Sequence, residues 1–240
     1  MKNKKIALCI SGQARKYDIS YNTLYNNIIK NNKVDIFFHT WKEYNIQSSD
    51  FGKGSYQYLM NDSKYDELLN LYNPKSYILE DPIIFESSGY KDPVWRQSLN
   101  NSLSMFYSIY KSISLVKDNY DYIIRTRFDL NYNHLPLIYS KNEICIPKWY
   151  NPDYRVKDKG YYDIFAIGTQ ENMKIYSQVF SNLISYITLD QDFINFLKND
   201  YFEDSPLRNE YILKWHLLKN KIKVKECECK INNHEVGIIR

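Results

Sequence analysis

The chain has 240 residues, 44% of them hydrophobic, which is enough for one large domain with a substantial core. With 32 basic and 28 acidic residues, the net charge of +4 is too small for a dedicated nucleic-acid-binding protein. It suits an anionic small molecule or an acidic membrane surface. No linker, repeat or low-complexity tract divides the sequence, so we expect residues 1–240 to form a single domain.

The sequence contains no signal for membrane insertion or for secretion. No run of about 18 apolar residues is present, so we expect no transmembrane segment. The apolar run Ile6–Ile10 is too short for a secretory signal and predicts a first strand. The cysteines fall within predicted strands, at spacings that indicate no disulfide framework: Cys9, Cys145, Cys227 and Cys229. We therefore predict a cytoplasmic protein, with peripheral contact at the inner membrane face left open.

Short apolar runs alternate with helical patterns along the chain, which predicts an α/β fold with a mostly parallel sheet. Strands are predicted at KKIALCI, KVDIFFHTW, KSYILED, YDYII, EICIPKW, YYDIFAIGT and KIKVKECECKI. Helices are predicted over about 18–30, 97–117, 170–186 and 205–219. Helix 97–117 has a strong apolar stripe, and we expect its polar stripe to face solvent: Gln97, Asn101, Ser104 and Ser108.

Three predicted strands end in polar residues. SGQAR follows the first strand at 11–15, HTW ends the second at 39–41, and YDYII continues into RTRFD at 125–129. In an open α/β sheet, ligands bind beyond the carboxyl ends of the strands. Guanidinium groups pair well with phosphate oxygens. This edge is therefore a predicted anion site, with Ser11, Gly12, Gln13, Arg15, His39, Arg125, Arg127 and Asp129 as its residues.

Structural interpretations of the same residues remain open. Arg125 and Arg127 share one strand face and could pair with Asp129 as an ion cluster. His39, taken alone, fits a hydrogen-bonded histidine at the edge of the core. The sequence has neither a phosphate-binding GxxxxGK[ST] loop nor a GxGxxG dinucleotide turn. The CEC pair at 227–229 lies in an alternating strand, where a four-ligand zinc site is not expected.

Several motifs, taken in order, resemble the small bacterial and viral glycosyltransferases of GT-A fold that decorate capsules and lipopolysaccharides. These motifs are CISGQAR, DIFFHTW, SMFYSIYKSISLVK with YDYIIRTRFDL, DIFAIGTQENM and RNEYILKWHL. The resemblance implies an αβα sandwich that takes a sugar from a nucleotide-diphosphate donor. It also implies a glycan or glycolipid acceptor. We expect no nucleic-acid partner, because the basic and acidic residues are interspersed and nearly balanced.

The resemblance also implies site residues by position. Asp129 takes the place of the family's aspartate motif, Gly168 that of its glycine loop at the sugar site, and Glu210 that of an acidic residue opening a late helix. An implied Mn²⁺ or Mg²⁺ ion would be held by Asp129 and by His234 near the C-terminus. The first acidic position of the motif is Arg127 here, so metal dependence is left open, with cationic side chains as the alternative.

The predicted function is transfer of a sugar from a nucleotide-sugar to a hydroxyl group. Arg15 and Arg127 would stabilise the departing diphosphate, and Glu210 or Asp163 would be the base. Glu210 could instead be a first-turn acid favoured by the helix dipole, and Asp163 a turn residue. Retention and inversion of the configuration at the sugar C1 are both compatible with this architecture. The alternative function is that of a non-catalytic carbohydrate- or nucleotide-binding partner in a surface-polysaccharide system.

Overall fold

A computed structural model describes residues 4–42, 45–47, 57–85, 99–131, 140–148, 160–200, 208–227 and 237–238. Strands and helices alternate along these residues. In chain order the elements are β1 (Lys5–Ser11), α1 (Tyr17–Asn27), β2 (Lys33–Trp41), β3 (Asn45–Gln47), β4 (Gln57–Leu59), α2 (Asp62–Tyr72), β5 (Ser76–Glu80), α3 (Leu99–Ser114), β6 (Tyr122–Thr126), β7 (Leu130–Asn131), β8 (Glu143–Pro147), β9 (Ala166–Gly168), α4 (Gln170–Ser177), α5 (Val179–Thr188), α6 (Gln191–Asp200), α7 (Asn209–Lys219), β10 (Lys223–Cys227) and β11 (Gly237–Ile238).

One seven-stranded sheet organises the fold, in the order β10-β8-β9-β6-β1-β2-β5. Only β9 runs antiparallel to its neighbours, β6 and β8, so the predicted α/β class with a mostly parallel sheet is confirmed. Because β1, β2, β5 and β6 are parallel, their carboxyl ends share one edge. The register places Ser11 opposite His39, and Trp41 opposite Glu80.

Apolar side chains cover both faces of the sheet. Along β1, Ala7 and Cys9 contribute to one hydrophobic cluster, whereas Leu8 and Ile10 contribute to the other, as the two-residue period of a strand requires. The first cluster includes residues of α3, α4, α5, α6 and α7, and the second includes residues of α1 and α2. Helices therefore lie on both sides of the sheet.

The predicted elements are mostly present, and the differences from the predictions concern both helices and strands. The predicted helix 170–186 is two helices, separated at Gln178. Within the predicted strand YYDIFAIGT, only 166–168 form a strand, because the preceding residues leave the sheet to contact α7. Helices α2 and α6 and the short strands β3, β4, β7 and β11 were not predicted. For α2 a signal was present, because Asn61 caps its first turn by accepting a hydrogen bond from the Lys64 N–H at 2.9 Å.

Two further expectations concern membranes and cysteines. Across the described residues, every helix is too short or too polar to cross a bilayer. Among the described residues, three cysteines are buried and form no disulfide, namely Cys9, Cys145 and Cys227, whereas Cys229 lies outside the described residues.

Candidate active site

A cavity of about 450 Å³ opens at the edge of the sheet where β1, β2 and β6 end. Its wall combines cationic, neutral polar and apolar side chains. The lining residues are Ser11, Gly12, Gln13, Arg15, Trp41, Pro82, Ile83, Ile84, Asn100, Asn101, Ser104, Met105, Arg125, Arg127, Asp129 and Asn209. Seven of the eight residues predicted from the strand ends are therefore brought together.

The loop after β1 forms one part of this wall. Ser11 is 1% exposed, and its hydroxyl makes no hydrogen bond to any residue that the structure describes. Gly12 has φ +109°, and a Cβ at its position would meet no atom within 4 Å. The Arg15 guanidinium donates from Nε to the Gln13 side-chain carbonyl at 2.7 Å, and Nη2 donates to the same oxygen. The loop thus presents the buried hydroxyl of Ser11, free space beside the backbone of Gly12, and the Arg15 cation held by Gln13.

Arg127 and Asp129, which follow β6, form a two-pronged ion pair. Arg127 Nε donates to Asp129 Oδ1 at 2.8 Å, and Nη2 donates to Oδ2 at 2.8 Å. Burial opposes the charge of Arg127, but the adjacent Asp129 carboxylate outweighs it and raises the pKa of the guanidinium above its ordinary value. Arg127 is therefore a permanent cation at the cavity, and its direction is fixed by Asp129.

Arg125 is anchored differently. It is 1% exposed, and its Nη1 donates to the backbone carbonyl of Asp163 in the loop before β9. Burial raises the pKa of the neighbouring Tyr176 to about 12, an effect that the positive charge of Arg125 opposes. Arg125 thus joins β6, the loop before β9 and α4, while still lining the cavity.

The two predicted base residues lie close together beside the cavity. Asp163 is 6% exposed, and Glu210 is partly buried in the first turn of α7. Burial and the negative charge of Asp163 raise the pKa of Glu210 to about 8. Neither residue lines the cavity, but Asn209, directly before Glu210, does.

A close backbone contact holds Glu210 in place. The Tyr161 N–H donates to the Glu210 carbonyl at 3.0 Å. Gly160 has φ +71°, and a Cβ there would lie 2.6 Å from the carbonyl carbon and oxygen of Glu210. Only glycine fits this position without a shift of the backbone. The chain that carries Asp163 therefore depends on Gly160 for its approach to α7.

Two predicted sugar-donor residues lie elsewhere. His39 is fully buried, and its ring nitrogens lie 2.7 Å from Ser108 Oγ and 2.7 Å from Glu80 Oε1, so it lines no part of the cavity. Gly168 is the last residue of β9, pairs with Ile123 and packs under Ile144 and Met173. His39 is enclosed by the core and Gly168 belongs to the sheet, so neither residue lines the cavity, and their roles at a sugar donor stay predictions.

Three residues of the polar stripe on α3 that was expected to face solvent lie at or next to this site, whereas Gln97 lies outside the described residues. Asn101 and Ser104 line the cavity, and Ser108 is fully buried with its hydroxyl accepting from the Gly12 N–H at 2.8 Å. Sequence periodicity separates polar from apolar faces but does not identify what each face meets.

Asn209 was also missed. Its Nδ2 donates to Met105 Sδ at 3.4 Å, while its buried Oδ1 has no partner in the described part of the chain.

The described residues contain no assembled metal site. Both carboxylate oxygens of Asp129 accept hydrogen bonds from Arg127. Among residues whose placement is described, no group of three histidine, cysteine, aspartate or glutamate residues could hold a metal. His234 lies outside the described residues. The implied Mn²⁺ or Mg²⁺ site stays a prediction.

Comparison of the sequence with models of protein families finds no match, and comparison with curated proteins finds no significant similarity. The interpretation of the site therefore depends on its own geometry and chemistry.

Proposed function

We propose that this protein is a GT-A-type glycosyltransferase that moves a sugar from a nucleotide-diphosphate donor to a hydroxyl group of a glycan or glycolipid. The observation that carries the proposal is the cavity lined by Arg15, Arg125 and Arg127 next to the carboxyl pair Asp163 and Glu210. A volume of about 450 Å³ lies within the range of small-molecule sites. Its cations match a diphosphate, whose negative charge increases as the sugar leaves.

In the proposed reaction, the bond between the sugar C1 and the diphosphate oxygen breaks while an acceptor oxygen bonds to C1. The acceptor proton passes to a carboxylate, and the nucleoside diphosphate leaves with the electron pair of the broken bond. Arg15 and Arg127 stabilise that leaving group because their charges are held in place before it forms. No step of this scheme uses a metal ion.

Glu210 is the stronger assignment for the base. A carboxyl group with a pKa of about 8 exchanges protons near neutral pH, the range in which acid–base catalysis is most effective. Asn209 brings the start of α7 to the cavity wall. Asp163 is the alternative base. Whichever residue is the base, the negative charge of Asp163 contributes to the raised pKa of Glu210. We place the reaction in the cytoplasm, at the inner membrane face where a glycolipid acceptor is used.

A binding and turnover experiment tests the proposal. Purified protein is incubated with a panel of nucleotide sugars while release of the nucleoside diphosphate is measured, and binding of nucleoside diphosphates is followed by calorimetry. Arg15→Ala is expected to weaken binding about tenfold or more, as expected for a lost charge-assisted hydrogen bond. Lys117→Ala is the matched control, because Lys117 is an exposed cation in the loop before β6, at the opposite edge of the sheet.

The same experiment separates the enzyme from a non-catalytic binding protein. That second function is favoured by the engagement of both Asp129 oxygens by Arg127, which leaves the aspartate motif without a free acidic ligand. Thermal stabilisation by a nucleotide sugar without any turnover would establish the binding protein. Absence of binding and turnover with every donor tested would contradict both functions.

A further inference from the structure

Three hydrogen bonds in series connect Glu80 to the loop after β1. The Gly12 N–H donates to Ser108 Oγ at 2.8 Å, Ser108 Oγ lies 2.7 Å from His39 Nδ1, and His39 Nε2 lies 2.7 Å from Glu80 Oε1. These residues come from the β1 loop, α3, β2 and the end of β5. We call this series the Glu80–Gly12 relay.

The relay has one consistent direction. An ionised Glu80 accepts only, so His39 donates to it from Nε2 and its Nδ1 accepts. Ser108 Oγ then donates its hydrogen to Nδ1 at 2.7 Å, which is nearer than its other acceptor, the His39 carbonyl at 3.4 Å, and Oγ accepts from the Gly12 N–H. Burial lowers the pKa of His39 against the opposing effect of Glu80, in agreement with a neutral ring. Each donor in the relay therefore meets an acceptor.

The relay is shielded by aromatic side chains. The Trp41 ring lies 4.8 Å from the His39 ring and the Tyr107 ring 5.6 Å from it, both edge-on. Trp41 and Tyr107 stack on each other at 5.5 Å. His39 and Ser108 are both fully buried. Ser108 is therefore not placed as a nucleophile, although a serine, a histidine and a glutamate lie in series.

What the relay holds is the backbone of Gly12. At φ +109° this residue has a conformation that residues with a side chain rarely adopt, and open space lies where its Cβ would be. The bond to Ser108 fixes this conformation, with Ser11 before it and Gln13 after it on the cavity wall. We infer that Glu80, His39 and Ser108 are positioning residues that set the shape of the anion-binding loop. The inference rests on the proposed function only for the identity of the anion.

Two buried serines on α3 provide a matched test. Ser108→Ala removes the acceptor of the Gly12 N–H. Ser112 lies one turn further along α3 and donates its hydroxyl hydrogen to the Ile109 carbonyl, and Ser112→Ala removes that hydroxyl. The first measurement is the hydrogen-exchange rate of the Gly12 amide by NMR without ligand. The second is the affinity for inorganic pyrophosphate by calorimetry.

Ser108→Ala is expected to speed Gly12 exchange at least tenfold and to weaken pyrophosphate binding about tenfold. Such changes correspond to about 1.4 kcal/mol, the size of one hydrogen bond. Ser112→Ala is expected to stay within twofold in both measurements. Equal Gly12 exchange rates in the two variants would overturn the relay. If Ser108→Ala speeds Gly12 exchange as expected but the wild-type protein binds no pyrophosphate, the relay is supported and the proposed function is refuted.

Glu80 gives a second test if Ser108→Ala does not fold. Glu80→Gln keeps an oxygen that accepts from His39 Nε2, whereas Glu80→Ala removes it. The expected result is faster Gly12 exchange in Glu80→Ala and near-normal exchange in Glu80→Gln. The same exchange rate in both variants would mean that the relay does not position Gly12.

Discussion

The raised pKa of Glu210 predicts how the stability of the protein depends on pH. Because its pKa rises from an ordinary value of 4.5 to about 8, the folded protein binds this proton more tightly than the unfolded chain. The contribution to stability is complete below pH 4.5 and is lost as the pH rises through about 8. Glu210→Gln has no proton to lose, so it is expected to gain stability relative to the wild type across this window.

The displacement of about 3.5 pKa units sets the scale of the effect. At about 1.4 kcal/mol per unit, it gives an upper limit of about 5 kcal/mol. Solvent screening at a partly buried side chain reduces the expected difference to the order of 2 kcal/mol between pH 5 and pH 8.5. Asp163→Asn removes the second cause of the shift, so the loss of stability should move to lower pH in that variant.

The assay is urea denaturation at half-unit steps from pH 5 to pH 9. The free energy of unfolding of each variant is taken relative to the wild type, so that titrations shared by both proteins cancel. Glu171→Gln, at an exposed position in the first turn of α4, is the control for loss of an exposed carboxylate. A difference curve for Glu210→Gln that is flat, or that falls with rising pH, would refute the assigned electrostatics of the carboxyl pair.

Three further outcomes are expected. Gly160→Ala should lower the free energy of unfolding by about 2–4 kcal/mol, because a Cβ 2.6 Å from the Glu210 backbone adds a clash to the strain of φ +71°. Gly12→Ala should lower it less, because nothing lies within 4 Å of a Cβ at that position. Equal losses of the two variants in urea denaturation would contradict this. Arg127→Ala should lower the free energy of unfolding by about 3–5 kcal/mol, because it leaves Asp129 buried and without its cation. Adding Asp129→Asn should restore part of the loss. If the effects of the two substitutions simply add, the ion pair contributes no coupling energy. If Glu210 is the base, the kcat/KM of transfer should rise with pH up to about 8, and this limb should be absent in Glu210→Gln.

The sequence predicts the sheet well because its strands are continuous apolar runs. KVDIFFHTW forms β2 over its whole length, and the polar residues after β1 and β6 meet at one edge because parallel strands end together. Periodicity carries this information without any knowledge of tertiary contacts. The edge prediction therefore needed only the order of strands and the residues that follow them.

The remaining features depend on contacts between distant parts of the chain. Ser108 belongs to a polar stripe whose spacing is the same whether it faces solvent or His39. The alternative that Arg127 pairs with Asp129 was visible in the sequence, but the geometry that uses both carboxylate oxygens was not. Gly160 meets Glu210 across 50 positions, and no local pattern predicts such a contact.

A crystal structure with a bound nucleoside diphosphate is the most direct test of the central claim, which is that the arginines at the ends of β1 and β6 receive a diphosphate. Crystals are grown with UDP, GDP, CDP and ADP in turn. We expect phosphate oxygens within hydrogen-bonding distance of Arg15 and Arg127, with Ser11 Oγ facing the ligand. Phosphates bound at another surface, with this cavity still filled by solvent, would contradict it.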